Sequence, residues 1–85
     1  MNTVEIYTSP LCGYCHAAKR LLNKKGVQFV EFNVAANPGK RKEMLSRANG
    51  SHTVPQIFVG DIHVGGFDDL AGLDRAGKLD ALLAA

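Results

Sequence analysis

The chain of 85 residues has no tryptophan, only three prolines and only two cysteines. Those cysteines, Cys12 and Cys15, lie so close in sequence that a bond between them closes a loop too small to staple a fold. A scaffold held up by disulfides is therefore excluded, and the pair reads as catalytic or metal-binding in a reducing compartment. A zinc site is disfavoured, because no second C-x-x-C is present to complete the ligands. No apolar run approaches the ~20 residues that span a bilayer. No basic segment followed by a long apolar stretch opens the chain, so a cytoplasmic location with no membrane attachment is expected. Charge of one sign is also missing. Ten Lys and Arg against eight Asp and Glu give +2, too weak a bias to imply a nucleic-acid partner.

What is present reads as one domain over residues 1–85. A domain of this size buries only about 60–65% of the surface that its unfolded chain exposes, so it folds alone with little stability to spare. Apolar alternation over Thr3–Thr8 puts Val4 and Ile6 on one face of a first strand. Ala17, Ala18, Leu21 and Leu22 follow at helical spacing from about Gly13 to Lys24, and Gly26 caps the end. Gln28–Val34 reads as a second strand through Val30, Phe32 and Val34. Asn37-Pro38 pairs an N-cap with a proline at the first helical position. The helix it opens runs to about Ala48, with Met44, Leu45 and Ala48 turned inward. Gln56–Val59 and Ile62–Val64, joined at Gly60-Asp61, read as a hairpin. A helix from Phe67 or Asp68 carries Leu70, Leu73 and Ala76, Gly77 closes it, and Leu79, Leu82 and Leu83 mark a last short helix. The order is β-α-β-α-β-β-α-α. The first two strands, connected through a helix, should be parallel with a right-handed crossover, and the last two antiparallel.

The chemistry concentrates in Cys12-Gly13-Tyr14-Cys15, at the junction of the first strand and the first helix. Amides of a first helical turn lack intrahelical partners and favour a thiolate at the first cysteine, which is the nucleophilic form. Tyr14 and Cys15 are the expected donors. Cys15, one turn along, is placed to close a disulfide, which makes the pair a redox motif with a mechanism.

Three motifs in this order, Cys12-Gly13-Tyr14-Cys15, Thr53-Val54-Pro55 and Gly65-Gly66-Phe67-Asp68, give nearly the whole chain a resemblance to the small bacterial dithiol glutaredoxins, members of the thioredoxin-fold superfamily. The resemblance implies an α/β fold, thioredoxin-like, with a four-stranded mixed sheet flanked by helices. It implies glutathione-dependent reduction of protein disulfides and of glutathione mixed disulfides. Cys12 would be the nucleophile, Cys15 the resolving thiol, and the two together the redox disulfide. Glutathione would be a co-substrate, with no tightly bound cofactor and no metal. The partners would be disulfide-containing or glutathionylated proteins, met by a monomer.

By the same resemblance, Tyr14 flanks the glutathione groove and Thr53-Val54-Pro55 forms a cis-proline loop. Its Val54 amide and carbonyl would pair with the cysteinyl portion of glutathione. Gly66, Phe67 and Asp68 would hold the γ-glutamyl end, helix amides taking the carboxylate and the Asp68 side chain the ammonium. Asp68 also suits an N-cap, and Asp69 suits a first helical turn. From the basic run Lys40-Arg41-Lys42, Arg41 is the candidate for the glycyl carboxylate. His16 reads as an exposed helix residue, and Leu11, Phe29, Phe58, Leu70 and Leu82 as packing residues. Two departures from the family pattern stand out. Gly13 occupies the place of the commonest proline, and Thr8-Ser9-Pro10-Leu11 lacks the lysine often found there. Two other readings use the same residues: a redoxin driven by thioredoxin reductase, which the third motif disfavours, and a carrier of a glutathione-ligated [2Fe–2S] cluster.

Overall fold

The computed structural model describes residues 2–85. Its elements are β1 (Val4–Thr8), α1 (Gly13–Lys24), β2 (Phe29–Asn33), α2 (Pro38–Arg47), β3 (Gln56–Val59), β4 (Ile62–Gly65), α3 (Phe67–Arg75) and α4 (Leu79–Ala84). They form one four-stranded sheet in the order β2-β1-β3-β4. β1 pairs parallel with β2, while β1–β3 and β3–β4 are antiparallel. The fold class and the strand directions are those expected from the sequence.

Side chains alternate across a strand, so the sheet has two separately built faces. On one, Val4 and Ile6 of β1 and Ile57 and Val59 of β3 pack with Ala18 and Leu22 of α1, Leu70 of α3, and Leu79 and Leu83 of α4. On the other, Tyr7, Phe58 and Val34 meet Met44 of α2 and its C-cap Ala48, with Phe32 and Val54 at the margin. Local signals set the helix ends. Asn37 accepts from the Lys40 amide at 3.1 Å and so caps α2, with Pro38 next. At the end of α1, the Val27 amide reaches the Leu22 carbonyl and the Gly26 amide reaches that of Asn23, the pattern of a Schellman turn. It needs a left-handed residue, and Gly26 has φ +71°.

Two expected inward positions are not inward. Val30 lies on the α2 face of β2 but is 48% exposed, because that face has a single ten-residue helix, which does not reach the outer end of the edge strand. Phe29, on the opposite face, supplies that strand's packing against the larger core. Ala76 is exposed, since α3 already ends at Arg75 and Ala76 is its C-cap.

α2 is fastened by polar contacts as well as apolar ones. The hydroxyl of buried Tyr7 donates to Glu43 at 2.5 Å and accepts from Arg47 at 2.8 Å, and Arg47 also donates to Glu5 at 3.0 Å. Lys40 approaches Glu43 at 3.2 Å and stands 4.1 Å over the Phe32 ring. The Tyr7 hydroxyl, with Lys40 in support, holds the Glu43 carboxyl below the usual carboxylate range. A depressed folded pKa means that the unfolded chain takes up this proton first as pH falls. The contribution of Glu43 is thus complete above the ordinary glutamate value of about 4.3 and is lost as pH drops through the lower folded value. Urea unfolding midpoints measured from about pH 6 down to about pH 3 should fall for the parent chain, and Glu43→Gln should flatten part of that fall. Parallel curves for the two proteins would deny the Tyr7–Glu43 contact its electrostatic weight.

Candidate functional site

β1 delivers the chain to the end of the sheet at Thr8, and the segment Ser9–Leu11 turns it into α1. Cys12 is the N-cap of that helix, in extended backbone at φ −127° and ψ 105°. The Cys15 amide donates to the Cys12 sulfur at 3.1 Å, so a sulfur fills the place that a serine or aspartate oxygen takes in other helices. Of the two expected donors, the Cys15 amide makes this contact. The cysteines are joined by a disulfide, their Cα atoms 5.2 Å apart. They are not equivalent, because Cys15 is fully buried while Cys12 is partly open to solvent. Cys12 is thus the sulfur that faces solvent, and Cys15 sits one turn behind it. Exposed His16 places a ring nitrogen 3.3 Å from the Pro10 carbonyl oxygen, across the turn.

Thr53–Pro55 runs alongside. The Val54–Pro55 bond is cis, and the Val54 carbonyl oxygen lies 3.6 Å from the Cys12 sulfur. The third motif touches the second, since a Cβ built on Gly66 meets the Pro55 carbonyl oxygen at 3.6 Å. Gly65 has φ +113°, and a Cβ there collides with the Asp69 carboxylate. Only glycine allows both that backbone and that approach. The cap of α3 differs from the expectation. The N-cap is Gly66, and its amide donates to Asp69 Oδ2 at 3.1 Å, so Asp69, three residues on, does the capping assigned to Asp68. Asp68 is exposed and makes no hydrogen bond or ion pair among the described residues. Phe67 stacks on Tyr14 with ring centroids 6.1 Å apart and planes at 26°.

Tyr14, Thr53, Val54, Pro55, Gly66, Phe67 and Asp68 line one cleft of about 230 Å³ next to Cys12. These seven residues come from three separated stretches of sequence. Arg41 is not among them and stands exposed on α2. A broader groove of about 700 Å³ between β4, α3 and α4 includes Asp68 but neither cysteine. Leu11, expected to pack, is fully exposed beside Cys12, because the turn ahead of α1 points it away from both cores. Among the described residues, no three His, Cys, Asp or Glu side chains gather into a metal site. Asp69 stands in the first helical turn as expected and also caps it, while the side-chain contacts of Ser51 and Gln56 were not expected from the sequence. Ser51 and Gln56 carry no motif that would have pointed to those contacts.

A glutaredoxin family model matches residues 4–64. A glutaredoxin of Pseudomonas aeruginosa is 56% identical over 85 residues, covering the whole of both chains. Among solved structures, a glutaredoxin from Brucella melitensis superposes with a TM-score of 0.84 at 53% identity, covering 98% of this chain and 89% of that one. A buckwheat glutaredoxin–glutathione complex superposes at 0.87 and 29% identity, covering 98% and 77%.

Two stability effects follow from the caps. Gly13 is the first residue of α1, a Cβ there meets nothing within 4 Å, and Cys12 before it is already extended, as a residue preceding proline must be. Gly13→Pro should therefore stabilise the fold by about 0.4–1 kcal/mol, by restricting the unfolded chain. Asp69→Ala should cost about 1 kcal/mol, and Asp68→Ala less than about 0.5 kcal/mol. Urea denaturation of the three variants tests the set, and a greater loss at Asp68 than at Asp69 would reverse the capping assignment.

Proposed function

The chain belongs to the glutaredoxin family and is a thiol–disulfide oxidoreductase, and on that premise we propose that glutathione is its reductant and that the cleft beside Cys12 is where glutathione binds. The observation that carries the proposal is the convergence of Tyr14, Thr53, Val54, Pro55, Gly66, Phe67 and Asp68 on that cleft. The glutathione carried by the buckwheat relative supports it.

In this reading the Cys12 thiolate attacks the glutathionyl sulfur of a mixed disulfide. A Cys12–glutathione bond forms and the substrate leaves as its thiolate, which takes a proton. A second glutathione thiolate then attacks the same glutathionyl sulfur, releasing glutathione disulfide and the Cys12 thiolate. With a protein disulfide, Cys12 forms the mixed disulfide and Cys15 resolves it. The reduced protein departs and the Cys12–Cys15 disulfide remains, which two glutathiones reduce. The Cys15 amide stabilises Cys12 both as nucleophile and as leaving group.

Within the cleft, the Val54 backbone pairs with the cysteinyl portion of glutathione, and Thr53 and Pro55 complete that wall. The Tyr14–Phe67 stack forms an aromatic flank. Backbone amides of Phe67 and Asp68, at the start of α3, face the γ-glutamyl carboxylate. Asp68, free of protein partners among the described residues, takes the ammonium. The protein acts as a monomer in a reducing cytoplasm. No described helix is long and apolar enough to cross a membrane.

Turnover of a small glutathione mixed disulfide, coupled to glutathione reductase and run beside a thioredoxin-reductase-coupled control, tests the reading. Activity confined to the thioredoxin-reductase arm would overturn it. Cys12→Ser should abolish turnover of every substrate. Cys15→Ser should spare the small mixed disulfide and impair reduction of protein disulfides, so equal losses in the two variants would sink the division of labour. Asp68→Ala should weaken glutathione use by ~1–3 kcal/mol, the usual cost of losing a charged hydrogen-bond partner. Unchanged glutathione kinetics in that variant would remove Asp68 from the site.

A further inference from the structure

Residues 51–55 connect α2 to β3 outside any helix or strand, so no ladder of backbone bonds sets their position. Gln56 is the first residue of β3 and only 3% exposed. Its side chain is directed almost wholly at that connection. The amide nitrogen donates to the Thr53 carbonyl at 3.0 Å, to Ser51 Oγ at 3.1 Å and to Thr53 Oγ1 at 3.2 Å. A backbone carbonyl only accepts, so the group facing Thr53 is the NH2 and the amide oxygen points the other way. There it meets Nε2 of His63 at 2.6 Å. That oxygen also only accepts, so His63 carries a proton on Nε2. His63 lies on the edge strand β4 and stacks on Phe58, with ring centroids 4.7 Å apart and planes at 19°. Among the described residues no buried side-chain polar atom is left without a partner, this amide included.

We infer that Gln56 is a positioning residue for the cleft: it holds Ser51 and Thr53, and through them the Val54 edge, at a fixed distance from Cys12, while His63 fixes which way the Gln56 amide faces. The inference rests on the glutathione reading above. Val54 reaches the Cys12 sulfur through a loop whose own backbone is otherwise little tied down. A buried amide with two fixed ends converts that loop into a wall of definite geometry, which is what a ligand pairing with its backbone requires. Gln56 touches neither cysteine and is not among the residues that line the cleft, so its influence passes through Thr53 and Val54.

The test uses Gln56→Leu, which removes the amide, and His63→Phe, which keeps a ring against Phe58 but removes the donor. KM and kcat for a small glutathione mixed disulfide, the rate of Cys12 alkylation by iodoacetamide, and cooperative urea unfolding are measured for each. Gln56→Leu should raise KM roughly five- to twentyfold, the scale of one or two lost hydrogen bonds, while kcat and the alkylation rate stay within about twofold. His63→Phe should move KM in the same direction by less, and it carries the test alone if Gln56→Leu does not unfold cooperatively. An unchanged KM in the folded variants would overturn the inference. So would a fall in kcat and alkylation matching the change in KM, which would make Gln56 a support for Cys12 instead of the groove. If the parent chain itself gains nothing from glutathione, the glutathione reading fails, a result visible before any variant is made.

Discussion

The first turn of α1 has amides with no carbonyl to bond, and the Cys12 sulfur takes the place of the missing partner. This contact, Cys15 N–H to Cys12 Sγ at 3.1 Å, ties the reactivity of a thiol to the start of a helix. It constrains the rest of the architecture. The helix has to begin where a strand ends, so that Cys12 emerges at the end of the sheet. The helix has to be anchored, and Ala18 and Leu22 do this against Val4, Ile6 and Leu70. Burial of Cys15 leaves Cys12 as the sulfur of the pair that faces solvent.

The two faces of the sheet solve different problems. The face under α1, α3 and α4 is an aliphatic core that fixes two helix N-termini, those of α1 and α3, at the same end of the molecule. The face under α2 is aromatic and polar. Tyr7, Glu43, Arg47 and Glu5 form a connected set there, with Arg47 4.0 Å over the Phe58 ring and Lys40 over Phe32. α2 offers few large apolar residues, Met44 being the one fully buried within the helix. Cationic heads set over aromatic rings supply the missing cover.

Most of the element order was legible because the signals were local. Asn37-Pro38, Gly26 and Gly60-Asp61 announce their turns in two residues or fewer. The period of two in Val4 and Ile6 matched the buried face. The sequence could not say how far a single covering helix reaches, which decides the exposure of Val30. Nor could it say that the turn before α1 would leave Leu11 in solvent. The three motifs named seven residues that do share a cleft, yet they misplaced the cap of α3. Asp68 and Asp69 are adjacent acids, and only the backbone path of Gly65-Gly66 decides which one turns back to the helix start.

That choice between neighbouring aspartates has a consequence for the chemistry. A carboxylate that caps a helix is committed to backbone amides and is poorly placed to receive a ligand. By giving the capping bond to Asp69, the Gly65-Gly66 turn leaves Asp68 uncommitted at the mouth of the cleft. Gly65 makes this possible in two ways: its φ of +113° sets the path of the turn, and its missing Cβ leaves the space that the Asp69 carboxylate fills. The opposite wall is also braced by a residue outside the cleft lining, since buried Gln56 bonds Ser51 and Thr53. On both walls the bracing bonds come from residues outside the cleft lining, Asp69 on one side and Gln56 on the other, and the Asp68 carboxylate is left without a protein partner among the described residues.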